Sequence, residues 1–379
     1  MKMTTASKSK MRICIISEGK NVHTHRHVDY FVDRGHEVHL IDINPYRYKN
    51  LKMHLVKNIT GIKFIDYFLR IVQAIIAVKK IKPDVLHSLQ VTYHGFVGAL
   101  SGTHPFVLTP WGSDILFVPD ESLYYKLITK FTIFKTDAIH CIDVSVLNRL
   151  MQMYGDEINK KKFFILNEGV DISFFMPMKK IQKQNVSILC LRVLRESYGP
   201  LFLIEALNIL VNKKNKKNLK VIMLKTALRA EDEPYQTKVH DAVKKYNLVK
   251  YVEFHDWKNH QTRSLMKKAD IYVDTIYRPV QGQGTGKTML EALSSGLAVI
   301  APDNPSIELY IKNEINGLIY RGANPESLAN AILKLAENRN LRVKLGKNAR
   351  KFAVKNLDIK KNMKIMELRY FKLIGKKNI

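Results

Sequence analysis

The sequence predicts an α/β protein of two doubly wound Rossmann-like domains facing across a cleft. Three observations carry that prediction. Short apolar runs alternate with longer amphipathic ones along the whole chain, the pattern of parallel sheets covered by helices on both faces. At 379 residues the chain exceeds one ordinary core and suits two. The alternation lapses once, at the polar, lysine-rich stretch Met176–Asn185 (MPMKKIQKQN), and then restarts.

In order, Arg12–Ser17 (RICIIS) reads as a buried strand, followed by a helix that Gly35 stops, and Glu37–Ile41 as the next strand. Asp84–Leu89, Phe106–Thr109, Ala138–Ile142 and Phe163–Leu166 continue the series, with helical segments between most of them. After the lapse, strands are expected at Val186–Leu191, Leu219–Leu224, Tyr251–His255, Asp270–Asp274, Leu297–Ala301 and Gly317–Tyr320. Pro325–Glu337, Leu341–Phe352 and Asp358–Leu373 read as closing helices. The expected division is therefore a first domain over 1–175, a linker over 176–185, a second domain over 186–357, and a C-terminal helix in 358–379 placed to pack back on the first. Ligands of open α/β sheets bind at the carboxyl ends of the strands, so the loops there matter most.

The formal net charge of +28 implies an anionic partner: a phosphorylated substrate, an anionic membrane surface or nucleic acid. Cys14, Cys141 and Cys190 lie far apart in apolar runs without zinc-site spacing, and read as reduced core residues of a cytosolic protein. No signal peptide is expected in the polar, basic start of the chain. Ile62–Val78 contains Lys63, Asp66, Arg70 and Gln73, too many polar groups for a spanning helix but compatible with an amphipathic one. The expectation is a cytoplasmic protein, soluble or peripheral at a membrane.

The segment Asp270–Pro302 (DIYVDTIYRPVQGQGTGKTMLEALSSGLAVIAP) reads as strand, glycine-rich loop, helix, strand. Gly282, Gly284 and Gly286 allow backbone N–H groups to approach an anion, and a helix starting near Thr288 aims its positive end there. Lys287 adds a mobile charge, and Glu291, one turn in, suits hydrogen bonds from a ribose. A loop needing glycine only for its turn is the plainer account. The ending Gly286-Lys287-Thr288 looks like a P-loop, but its first glycine would have to be Gln281. His23, His25 and His27 look like metal ligands, yet no second ligand cluster accompanies them, and no metal is assigned; His23 is expected to face substrate. Glu231-Asp232-Glu233 reads as a solvated helix start.

The same segment resembles glycosyltransferase family 4, of the GT-B fold, whose members carry a pattern similar to EGFGxxxLEALAxGxPVIA. Gln283 stands at the first glutamate, Gly284, Thr285 and Gly286 in the loop, and Glu291 at the second glutamate; Leu290–Leu293 and Ser295–Ala301 fit closely. The resemblance assigns the first position to donor-sugar hydroxyls and the second to the nucleotide ribose, with Thr288 beside them. It extends over nearly the whole chain. Leu108–Leu116 (LTPWGSDIL) is similar to the acceptor-side region, with Trp111 where many members have histidine, followed by Gly112, Ser113 and Asp114. Asn167–Asp171 (NEGVD) occupies the place of an NGVD turn, and Leu191–Ala206 that of the segment supplying a basic pair to the donor diphosphate. Arg192 is one candidate partner; Tyr198 replaces the usual lysine and Lys225 a common glycine.

The resemblance implies sugar transfer from a nucleotide-sugar co-substrate such as a UDP- or GDP-sugar, with retention, without a metal or other cofactor. Leaving-group charge would be stabilised by Arg192, Lys287 and the helix start after Gly286. The acceptor is expected to be a glycan or a lipid-linked glycan. Docking on anionic lipid is expected through Phe64–Val78 and the basic residues Lys344, Lys347, Arg350, Lys351, Lys355, Lys360, Lys361 and Lys364, which also suit an ordinary solvated face. Two rivals stand: a non-catalytic scaffold of the same fold, motivated by Gln283, Tyr198, Lys225 and Trp111, and a nucleic-acid-binding protein, supported by charge alone and not expected.

Overall fold

The computed structural model describes residues 10–179, 184–225, 232–256, 261–276 and 286–375. They form two compact units, one of 1–167 with 363–379 and one of 168–362. The division falls between Asn167 and Glu168, upstream of the expected linker at 176–185. Val170 and Phe175 are the reason: both are buried in the second unit's core, so the chain has joined that unit before the polar stretch begins. The C-terminal helix Ile359–Leu373 is likewise shared, with Met363 onward belonging to the first unit.

The first unit is a seven-stranded sheet in the order β3-β2-β1-β4-β5-β6-β7. Its strands are β1 Arg12–Ile16, β2 Glu37–Asp42, β3 Lys52–Leu55, β4 Val85–Leu89, β5 Phe106–Thr109, β6 Ala138–Cys141 and β7 Phe163–Ile165. Every pairing is parallel, with Ile13 opposite both Val38 and Val85 in the centre. β4 is buried along its whole length, as a strand covered on both faces must be. The edge strand β3 (KMHL) is short, polar and partly exposed, so nothing in its sequence announced it.

The second unit is a six-stranded parallel sheet in the order β10-β9-β8-β11-β12-β13. It uses β8 Val186–Cys190, β9 Leu219–Leu224, β10 Val252–His255, β11 Ile271–Val273, β12 Ala298–Pro302 and β13 Leu318–Tyr320. In each sheet the strand order reverses once, between β1 and β4 and between β8 and β11. At such a reversal the flanking crossovers leave on opposite faces and open a crevice at the carboxyl edge. The three cysteines are free and buried, and burial pushes the Cys190 thiol up to about 11 and that of Cys141 to about 12.

Helix Pro325–Glu337 is N-capped by Asn324, whose side chain accepts from the Ser327 N–H, and Pro325 opens it at N1. Helix Arg339–Asn356 packs against β12 and the helix Lys287–Ser294 through Gly346; a Cβ there would lie 2.3 Å from the Gly296 carbonyl oxygen. Arg350, expected on a docking face, is instead partly buried. One Nη1 donates to the carbonyls of Ile172, Phe175 and Ser294, closing the chain around the 172–175 turn.

The returning helix completes the first unit. Tyr370 is fully buried, stacks on Phe31 with ring centroids 5.0 Å apart, and donates to His87 Nδ1 at 2.5 Å. The hydrogen-bond order from there follows from the far end. His140 Nε2 meets the Leu166 carbonyl at 2.6 Å, so it is the donor. His140 Nδ1 then accepts from the Thr109 hydroxyl at 3.0 Å, and Thr109 accepts from His87 Nε2 at 2.7 Å. A single hydrogen-bonded file thus crosses β4, β5 and β6 and ends on the helix. Beside it, Glu367 accepts from Tyr30, Arg34 and His36.

Candidate active site

Both strand-order reversals carry the residues singled out from the sequence. In the second unit Arg192 follows β8 and Asp274 follows β11, on the two strands that flank the reversal. The pair is buried and bidentate, Nε to Oδ1 at 3.0 Å and Nη2 to Oδ2 at 2.6 Å. Burial opposes the guanidinium's charge, and the Asp274 carboxylate outweighs that and raises the Arg192 pKa. Arg192 is therefore not an ordinary surface charge; its charge is matched within the fold. Tyr198 covers it, with the guanidinium carbon 5.4 Å from the ring centre. The main chain at Asp274 is fixed as well, by the Ile276 N–H to Oδ1 at 3.1 Å and by the Tyr320 hydroxyl to its carbonyl at 3.3 Å.

Gly286 stands directly before the guanidinium. A Cβ at this position would lie 2.5 Å from Cζ, Nη1 and Nη2 of Arg192, so the approach requires glycine. Gly286 is also the N-cap of helix Lys287–Ser294, which starts one residue earlier than expected. Thr288 shares a hydrogen bond of 2.7 Å with the buried Tyr272 of β11, which pins the first turn to the sheet. Glu291 is buried one turn in, and the exposed Lys287 places Nζ 3.6 Å from its Oε1. The structure thus brings together Arg192, Gly286, Lys287, Thr288 and Glu291 where helix N–H groups point outward. Gln283, Gly284 and Thr285 lie outside the described residues.

Asp274 was not singled out from the sequence, although a carboxylate ending the apolar run DIYVD was its signal. Asp232 was read as solvated; it is buried and takes Arg195 bidentately, Nε at 2.8 Å and Nη2 at 2.7 Å. Lys225 is exposed, 3.9 Å from Asp256.

In the first unit the reversal between β1 and β4 gathers His23, His94 and Trp111. His23 opens helix Val22–Asp33, where its N–H donates to the Asn21 capping oxygen at 2.9 Å. Its ring lies 6.1 Å from that of Trp111, which in turn meets the buried His94 edge-on at 6.4 Å. His25 and His27 go elsewhere. His25 stacks on Tyr46 at 4.1 Å and donates to the Gly19 carbonyl, whereas His27 is buried and donates from Nδ1 to the His23 carbonyl. His25 lies two residues from each of the others and points off their face, and among the described residues the three histidines do not gather into a group that could hold a metal ion.

Gly112, at φ +108°, lets the chain turn after Trp111 so that Asp114 points inward on the short helix Ser113–Leu116. Asp114 Oδ2 accepts the Val91 N–H at 2.7 Å and ties the two loops together. Its Oδ1 and the Trp111 Nε1 are buried without a hydrogen-bond partner among the described residues. Burial pushes the Asp114 carboxyl up to about 6, against backbone donors that lower it, and pushes His94 down to about 4. Ser113 is exposed at the start of that helix.

The sequence and the fold have known counterparts. The profile of a family described as glycosyl transferases group 1 matches residues 171–352, and one described as glycosyl transferase 4-like matches residues 12–143. An uncharacterized glycosyltransferase of Methanocaldococcus jannaschii is 26% identical over 352 residues, 87% of this chain and 89% of its own. A second from that organism is 32% identical over 101 residues, 27% of this chain and a quarter (25%) of its length. Among solved structures, a Rickettsia africae glycosyltransferase superposes with a TM-score of 0.79 at 17% identity, covering 97% of this chain and 100% of its own. Anabaena HepE, crystallised in complex with UDP, gives 0.77 at 15% identity over 95% and 99%. At these identities the solved structures speak to the fold, two parallel α/β units of the GT-B type.

Proposed function

The chain belongs to the glycosyl transferases group 1 family, and from that membership we propose that it transfers a sugar from a nucleotide-sugar donor to a glycan or lipid-linked acceptor. Glycosyltransferase activity is what the family and the relatives support. The observation that carries the donor side is the meeting of Gly286, the Arg192 guanidinium and the N-terminus of helix Lys287–Ser294 at one strand-order reversal.

In this reading the diphosphate lies against the N–H groups that follow Gly286, and Lys287 swings from Glu291 onto a phosphate oxygen. Arg192, held flat by Asp274, presents the one guanidinium nitrogen, Nη1, that the carboxylate does not take. Helix dipole and guanidinium stand in place beforehand, and Lys287 joins them in stabilising the leaving nucleoside diphosphate. Glu291 accepts the ribose hydroxyls, and Gln283 with Gly284 and Thr285 faces the donor sugar. His23, Trp111, Gly112, Ser113 and Asp114 form the acceptor side. The reaction we propose is a hexosyl transfer that retains anomeric configuration, with the leaving phosphate taking the acceptor's proton and neither metal nor further cofactor taking part. Anabaena HepE was crystallised with UDP, which makes a uridine donor the first to try.

The test is a thermal-shift and hydrolysis screen against UDP-, GDP-, ADP- and TDP-sugars. We expect one donor to stabilise the protein and to release its nucleoside diphosphate slowly, with both effects lost in Glu291→Ala. A second reading, a non-catalytic scaffold of the same fold, is favoured by the charge-matched Arg192–Asp274 pair; no response to any donor would select it.

A further inference from the structure

Helix Lys63–Ile81 (KFIDYFLRIVQAIIAVKKI) is apolar on two faces. Ile71, Ala74, Val78 and Ile81 are buried and fasten it to the first unit's core. On the outside Phe64, Phe68, Val72 and Ile76 recur every four residues as a single ridge, 71% exposed at Phe64 and 47% at Ile76. A surface helix ordinarily shows polar side chains there. Helix Leu123–Lys135 repeats the arrangement: Ile128 and Ile133 are buried, while Leu123, Leu127 and Phe131 form an outer ridge at the same spacing, 71% exposed at Leu123.

The tertiary structure makes one surface of the two ridges. Both helices pack on the short helix Phe96–Ser101, and Tyr67 lies near Tyr124. Leu100, on the helix between them, is exposed as well. Contiguous apolar surface of this kind marks an interaction site. The exposed charges that the two helices themselves carry are of one sign, with Asp120 and Glu121 of the neighbouring turn at one end. Helix Leu123–Lys135 contributes Lys126, Lys130 and Lys135 and no acid. Helix Lys63–Ile81 contributes Lys63, Arg70 and two terminal lysines. Its one carboxylate, Asp66, is buried and taken by the N–H groups of Ile59, Thr60 and Gly61. Lys130 pairs with an acid, Glu157, at 2.9 Å.

We propose that this face docks on an anionic lipid surface, with the ridges entering the headgroup–acyl boundary and the lysines reaching anionic headgroups. A second copy of the chain is a poor occupant, because an isologous contact would set this basic rim against itself. As the place where a lipid-linked acceptor is met, the proposal rests on the transferase reading; as a lipid-binding face it does not.

The experiment is flotation of the full chain with vesicles of phosphatidylcholine, alone or mixed with phosphatidylglycerol, at low and high salt and without any donor. Binding is expected to the mixed vesicles only and to weaken as salt is added. Phe68→Ser with Leu127→Ser should lower it about tenfold or more, since both apolar anchors are lost. Lys126→Glu with Lys130→Glu should lower it about fivefold per lysine or more. Both pairs are exposed, and unchanged circular dichroism confirms that the variants fold. Equal binding by parent and both variants, or no binding to mixed vesicles, overturns the proposal. So does a concentration-dependent dimer that the serine pair abolishes, which would assign the face to a second copy. Vesicle binding by a protein that answers no nucleotide sugar would sink the donor reading and leave the lipid face standing.

Discussion

Arg192 and Asp274 follow different strands, 82 residues apart, and each makes the other tolerable in the interior. Removing one partner strands a buried charge, so Asp274→Ala should cost about 3–5 kcal/mol, while Arg192→Met with Asp274→Leu should cost far less. Calorimetric unfolding of the three proteins checks this; equal losses for single and double variants would mean the pair is not coupled. A second prediction at this scale concerns pH. Asp114, raised from 3.8 to about 6, contributes stability that is complete below its ordinary value and lost as pH rises through about 6. His94, lowered from 6.5 to about 4, has the opposite sign: its contribution is complete above the ordinary histidine value and lost as pH falls through about 4. Each spans about two pH units, roughly 3 kcal/mol, so the two offset one another between those limits. Asp114→Asn should leave a stability that rises with pH across this window, and His94→Gln one that falls. Denaturant midpoints measured across the window read the slopes, and curves parallel to the parent's would refute the assignment.

Elements are held where small residues let backbones meet. Gly286→Ala puts a methyl 2.5 Å from the Arg192 guanidinium, so either that group leaves Asp274 or the helix start moves. We expect a stability loss of about 1–3 kcal/mol together with weaker nucleotide binding, read by calorimetric titration against the donor that the screen identifies. Gly346→Ala meets a backbone oxygen at 2.3 Å and should cost as much in melting temperature while sparing nucleotide affinity, because it separates helix Arg339–Asn356 from β12 and touches no donor residue. Normal stability of either variant would contradict the packing described here. The buried strands were legible at this scale, their apolar runs lying close to the observed bounds. β3 was not, since an edge strand that borrows its order from β2 needs little apolar sequence of its own. Asp232 and Arg350 were misread as solvated because a charge matched by distant partners looks, in sequence, like any surface charge.

At the scale of the whole chain, the first unit depends on a segment that follows the second unit in sequence. Without residues 363–379 it loses Tyr370 from the file His87, Thr109, His140 and Glu367 from Tyr30, Arg34 and His36. Truncation after Asn362 should therefore abolish the first unit's unfolding transition in calorimetry and leave the second unit's. Tyr370→Phe, which removes one buried donor, should cost about 1–3 kcal/mol. Retention of both transitions by the truncated chain would show that the helix is an accessory.

Fold class, the alternation of strand and helix, and a helix beginning beside Gly286 and carrying Glu291 were legible in the residues alone. These follow from local periodicity and from glycine at a fixed spacing, which neighbours in sequence suffice to express. Only the tertiary structure decided that Arg192 is matched by Asp274, that Asp114 ties the loop after β4, and that the unit boundary precedes Phe175. It also decided that the ridges of two separate helices share one surface. Each of these is a meeting of residues tens of positions apart, and side-chain type and spacing do not encode which distant partner a buried charge or an apolar face will find.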